Sequence, residues 1–109
     1  MRREDGLTIG FVGYASSPQA DAASAFEDEV LALLPAHGAQ VVYRGRRTGE
    51  QAAELPLELH VLWFPSRTAL EGYLGDPRRT AAIERFGDAF TRTIVVELQD
   101  LVSPASTST

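Results

Sequence analysis

Residues 57–66 read Leu57-Glu58-Leu59-His60-Val61-Leu62-Trp63-Phe64-Pro65-Ser66, following Pro56. Two-residue alternation puts Leu57, Leu59, Val61 and Trp63 on one side and Glu58, His60, Leu62 and Phe64 on the other, the period of a β-strand. Both sides end aromatic, so the segment reads as a strand buried on both faces at the centre of a sheet. Pro65 stops it, and Ser66 supplies a hydroxyl to cap a helix running to about Leu74.

Working outward, Leu7 to Ala15 alternates, with Leu7, Ile9 and Phe11 opposed to Thr8, Gly10, Val12 and Tyr14. Ser16, Ser17 and Pro18 then open a helix whose apolar positions are Phe26, Val30, Leu33 and Leu34, with Glu27, Asp28 and Glu29 placed on the other side. Pro35 ends or kinks this helix near Leu34, and Gly38 suits a left-handed C-terminal position. A strand over about Ala39 to Arg47 follows; its arginine-rich end suits a sheet edge. Thr48 to Glu54 is a polar loop. After the first helix beyond Ser66, Gly75, Asp76 and Pro77 restart a shorter one that buries Ala82, Ile83 and Phe86. Arg92 to Leu98 is the last strand, with Ile94, Val96 and Leu98 expected inward.

The order βαββαβ, without repeat or linker, predicts an α+β, ferredoxin-like domain over residues 7–101, with a four-stranded antiparallel sheet and helices on one face. Residues 1–6 read as a flexible N-terminus and 102–109 as a disordered Ser/Thr-rich tail. Strand parity assigns Thr8, Val12, Tyr14, Val42, Leu62, Phe64 and Val95 to the helix-free face. So apolar a face calls for a second copy across a twofold axis.

Composition narrows the function. The 109 residues include ten Arg, no Lys and no Cys, with a formal net charge of -5. No cysteine means no disulfide, thiolate nucleophile or Cys-type zinc site, and no lysine means no Schiff base or P-loop lysine. The acidic balance argues against nucleic acid or an anionic membrane as partner. With no signal-like or membrane-spanning apolar run, a cytoplasmic location is expected. Neither a Walker sequence nor Gly-x-Gly-x-x-Gly nor Gly-x-Ser-x-Gly is present, and two distant histidines make a poor metal site.

Leu34-Pro35-Ala36-His37-Gly38-Ala39, Arg44-Gly45, Phe64-Pro65-Ser66, Tyr73 and Asp76-Pro77 together resemble the dimeric α+β barrel superfamily, most nearly its small bacterial members of unknown function. Trp63 departs from that group, which often has an acidic residue there, and so do Arg78 and Arg79, where an aromatic is common. The resemblance implies a homodimer whose two sheets form a barrel, with a pocket between sheet and helices. Relatives include antibiotic-biosynthesis monooxygenases, polyketide cyclases, lactone isomerases and haem-degrading enzymes. Haem degraders carry a Trp on the second helix and a His ten residues later; Tyr73 and Ile83 stand there, so no iron ligand is supplied. Polyketide cyclases place a His near the start of the first helix, where this chain has Asp21 and Ser24.

The resemblance implies a small-molecule-binding protein: a cyclase, isomerase or monooxygenase acting without a cofactor on an aromatic or polyketide-like substrate. His60 and Arg44 are the candidate catalytic residues, one to move a proton and the other to steady an enolate or phenolate. Trp63, Tyr73, Tyr43, Tyr14 and Phe86 are the candidate substrate contacts, with Phe11 and Phe90 as further aromatics for the pocket wall. No metal ligand is assigned. The competing interpretation is a non-catalytic ligand-binding or dimerisation module. In it, His60 is a hydrogen-bonded interface residue, Arg44 pairs with Glu58 across neighbouring strands, His37 meets a helix C-terminus, and the aromatics fill the core. An RNA-binding ferredoxin-like domain fails on charge and on its missing aromatic signature.

Overall fold

A computed structural model describes residues 6–49 and 54–101. Strand β1 spans Leu7–Tyr14, helix α1 Ala20–Leu31, β2 Gln40–Arg46, β3 Glu58–Phe64, α2 Arg67–Leu74, α3 Pro77–Phe86 and β4 Arg92–Leu98. Short 3-10 turns over Ser17–Gln19 and Leu34–His37 flank α1. The sheet order is β2-β3-β1-β4 with every neighbour antiparallel, so β3 is central and β2 is an edge. With the helices on one face, this is the ferredoxin-like arrangement. The tail over 102–109 and all of the N-terminal stretch except Gly6 lie outside the described residues.

Local chemistry sets the element ends. Ser66 accepts a hydrogen bond from the Ala69 N–H at 3.0 Å, and Asp76 accepts one from the Arg78 N–H at 2.9 Å, so α2 and α3 each begin at a capped turn. Pro35 shortens α1, which stops at Leu31; the chain then tightens into the turn that contains Pro35. Gly38 closes it at φ 71°, the left-handed geometry expected of it. Among the described residues no helix is long and apolar enough to cross a membrane.

The register corrects the assignment of faces. Leu7, Ile9 and Phe11 of β1 pair with Phe64, Leu62 and His60 of β3, so these residues share one face. It is the face under the helices: Phe64 and Leu62 are buried with Ile9, Leu31, Leu34 and Tyr73. Leu62 and Phe64 therefore do not belong to the helix-free face. The side of β3 that faces the helices also carries Glu58 and His60, so its periodicity reads as the polar, outward side until the pairing with β1 is known. The same slip affects β4. Ile94, Val96 and Leu98 pair with Val12, Gly10 and Thr8 on the open face, whereas Val95 pairs with Phe11 on the helix face. Ile83, expected inside, is 38% exposed.

In β2 the register shifts between Val41 and Tyr43. Val41 faces with Leu62, the bulge takes up one residue at Val42, and Arg44 then lies opposite His60. Without that extra residue Arg44 would project from the open face.

Candidate functional site

A cavity of about 120 Å³ lies between the sheet and the helices. Phe11, His60 and Leu62 form part of its floor, Glu27 enters from α1, Tyr73 from α2 and Arg79 from α3. Two lining residues, Leu74 and Val95, are 49% and 63% exposed and mark its opening.

His60 is buried and stacks on Phe11, with ring centroids 4.6 Å apart and planes 20° from parallel. Its Nε2 lies 2.6 Å from Glu58 Oε1, and its Nδ1 lies 3.8 Å from Glu27 Oε1. Glu58 also accepts hydrogen bonds from Arg44 Nε at 2.9 Å, Arg44 Nη2 at 3.0 Å and Ser24 Oγ at 2.5 Å. Burial would push the Glu58 carboxyl up, but the hydrogen bonds from His60, Arg44 and Ser24 outweigh it and hold the pKa at about 2. An ionised carboxylate only accepts, so the hydrogen of a neutral His60 sits on Nε2 and the Nδ1 lone pair is directed towards Glu27.

Glu27 behaves in the opposite way. Burial disfavours its charge, and repulsion from Glu58 adds to this, while His60, Arg44 and Arg79 pull back; the result is a pKa of about 7. A carboxyl group that exchanges its proton near neutrality thus faces the Nδ1 of an imidazole in an apolar recess. Tyr73 is buried and donates its hydroxyl to the Val30 carbonyl at 3.1 Å. Burial raises its pKa above the ordinary phenol value, although Arg79 opposes that shift.

Of the residues singled out from sequence, the structure brings His60 and Tyr73 to the cavity. His60 is not on the open sheet face, where an interface role would put it; it lies beneath α1. Arg44 does not line the cavity. It lies opposite His60 on the neighbouring strand, reaches diagonally to the Glu58 carboxylate, and also donates to Asp28 Oδ1 at 2.7 Å and the Ser24 carbonyl at 3.1 Å. Trp63 and Tyr43 lie on the other side of the sheet, opposite Thr8 and Val61 respectively. Tyr14 shares that side, with the Arg92 guanidinium 5.3 Å from its ring centre. Phe86 packs against Phe26, centroids 6.1 Å apart, away from the cavity wall. Phe11 does line the cavity, and Phe90 packs edge-on to it at 5.7 Å. His37 reaches Asp76 Oδ2 at 2.8 Å and ties the turn after α1 to the start of α3.

Glu27 and Arg79 were not singled out. Glu27 was expected to point outward, yet it is only 5% exposed. Ala20, Ala23, Glu27, Val30 and Leu31 form the buried stripe of α1. Anchoring the helical period on Phe26, which is half-buried, rotates the stripe and turns Glu27 out. An acidic residue in register with Ala23 and Val30 was the available signal. Among the described residues no group of three His, Asp or Glu side chains is arranged to hold a metal ion.

No family model and no curated protein matches the chain. Solved structures do. A candidate antibiotic biosynthesis monooxygenase of Bacteroides thetaiotaomicron superposes with a TM-score of 0.74 at 11% identity, covering 94% of this chain and 96% of that one. A Rhodopseudomonas palustris protein of unknown function gives 0.70 at 18% identity, covering 93% and 86%. A dimeric ferredoxin-like protein of unknown function from Thermobifida fusca gives 0.64 at 12% identity, covering 92% and 96%. This chain has their ferredoxin-like α+β fold. The likeness extends over nearly the whole domain and concerns the fold alone, since one fold hosts many chemistries.

The two carboxyls make opposite contributions to stability. Glu58, held below its ordinary value, stabilises above about pH 4.5, and this contribution is lost as pH falls towards 2. Glu27, held above its ordinary value, favours the fold below about pH 4.5, and that advantage is lost as pH rises through 7. Glu27→Gln is therefore expected to remove a fall in unfolding free energy between about pH 5 and pH 8, on the order of 2 kcal/mol. Urea melts of both proteins at the two pH values check this; parallel behaviour would contradict it.

Proposed function

We propose that the cavity receives a small enolisable organic molecule, aromatic or polyketide-like, and that the protein moves protons on it without a bound cofactor, as a cyclase, an isomerase or, with dioxygen as second substrate, a monooxygenase. The observation that carries this is the pairing of His60 Nδ1 with Glu27 in an apolar recess. His60 Nδ1 would take a proton from a substrate C–H or O–H, and the Glu58 carboxylate would stabilise the imidazolium formed. Glu27 in its acid form would return a proton to the product. Arg44 would act on His60 through Glu58 rather than on the substrate. Tyr73 would pack against the bound molecule.

The cavity is small beside the ~300–1,000 Å³ of drug-sized sites, so only one ring or a short segment would enter, with the rest passing Leu74 and Val95. That size, and the mutual satisfaction of Arg44, Glu58 and His60, also favours a second reading: a non-catalytic module in which this polar chain is purely structural.

The expected result with hydroxylated aromatic ketones in deuterated buffer is exchange of the α-proton, followed by NMR, faster than in buffer alone. His60→Asn and Glu27→Gln should each slow it by ~100-fold or more. No exchange above background across the panel, with the fold intact, would move the assignment to the non-catalytic reading.

We further propose that the open sheet face pairs with a second copy. Tyr43, Leu59 and Val96 are 57%, 45% and 47% exposed on it, an apolar surface that a monomer would leave in water. The Thermobifida fusca protein with the same fold is described as dimeric. Light scattering is expected to give a dimer for the native chain and a monomer for Leu59→Arg; a native monomer would refute the pairing.

A further inference from the structure

Arg78 and Arg79 are adjacent in the first turns of α3, yet their environments differ. Arg78 folds back on Asp76, with Nη2 2.7 Å from Oδ2 and Nε 3.1 Å from Oδ1, and stays largely in solvent. Arg79 turns towards the cavity, which it helps to line. Its guanidinium carbon lies 5.2 Å from the centre of the Tyr73 ring. It forms no ion pair among the described residues, and its Nε is buried without a hydrogen-bond partner.

A buried guanidinium donor left unpaired costs stability, and native folds rarely retain one without a use. The nearby protein groups do not meet the need. The Tyr73 oxygen interacts with the guanidinium while its proton goes to the Val30 carbonyl, but Nε keeps no partner, and Glu27, with its acidity suppressed by burial, carries little negative charge on the acid side of neutrality. A planar guanidinium resting on an aromatic ring at the edge of an apolar recess is suited to a flat anion whose ring enters the recess while its charged oxygen meets the nitrogen.

We propose that Arg79, braced by Tyr73, is an oxyanion-binding subsite of this cavity, and that the ligand is an aromatic molecule carrying an ionised oxygen, either a carboxylate or a phenolate. This rests on the cavity being the ligand site, as proposed above, and it gives to Arg79 the anion-holding role that the sequence suggested for Arg44. The oxyanion end of the ligand lies by α3 and its reacting carbon by His60 and Glu27.

The test compares benzoate, 4-nitrophenolate and the neutral benzamide by calorimetry on the full chain. At least one anion is expected to bind ~10-fold or more tightly than benzamide, and the stronger of the two identifies the oxyanion class. Arg79→Gln should abolish the preference, Arg79→Lys should keep part of it, and Arg78→Gln should leave it unchanged. Equal binding of anion and amide, absence of anion binding at millimolar concentration, or an undiminished preference in a folded Arg79→Gln protein would each overturn the proposal. An anion preference that persists while His60→Asn and Glu27→Gln leave proton exchange unaltered would refute the acid–base reading and leave this subsite standing.

Discussion

The site depends on one buried charge. The Glu58 carboxylate lies under α1, where a lone anion would cost several kcal/mol in lost hydration, and it is tolerated because Arg44, Ser24 and His60 all donate to it. Each donor needs a different structural device. β3 carries His60 two residues beyond Glu58, α1 supplies Ser24, and the bulge at Val42 turns Arg44 to the helix side. The guanidinium then spans from Glu58 to Asp28 and the Ser24 carbonyl, binding an edge strand to α1. The same charge that locks these elements also fixes the proton on His60. The anchoring of β2 to α1 and the tautomer of His60 are thus linked through a single carboxylate.

Much of this architecture is legible in the sequence. Pro65-Ser66, Asp76-Pro77 and Gly38 are local punctuation whose physics does not depend on distant contacts, and each acts as read. The strand order follows from β3 being apolar on both faces and β2 carrying arginines. Facing is different. Parity puts Leu62, Phe64 and Val95 on the open side because the same side of each strand carries polar residues, Glu58 and His60 in β3 and Thr93 and Glu97 in β4, and reads as the outward one; only pairing with Leu7, Ile9 and Phe11 decides. The site divides in the same way. Glu58 and His60 are two-residue neighbours and share a side by parity, whereas Arg44 comes opposite His60 only through the bulge at Val42. Glu27 and Arg79 reach the cavity from α1 and α3, and their convergence depends on helix packing that no local pattern encodes.

The cavity combines two electrostatic regimes within a short distance. Around Glu58 three donors stabilise charge, whereas around Glu27 apolar walls suppress it, so neighbouring carboxyls titrate far apart. Separated acidities of this kind are what acid–base chemistry near neutrality requires. They are not a general property of the ferredoxin-like fold, which the distant structural relatives share at identities of 11 to 18%. They arise from side chains grafted onto it.

The central claim is that Glu58 holds the His60 hydrogen on Nε2 and leaves Nδ1 open to the cavity. Long-range nitrogen–proton correlation NMR of the imidazole side chains, at a pH where His60 is neutral, reads the tautomer directly. A single Nε2–H form is expected for His60, with Nδ1 showing the signature of an unprotonated nitrogen. A dominant Nδ1–H form, or a ring averaging between tautomers, would contradict it.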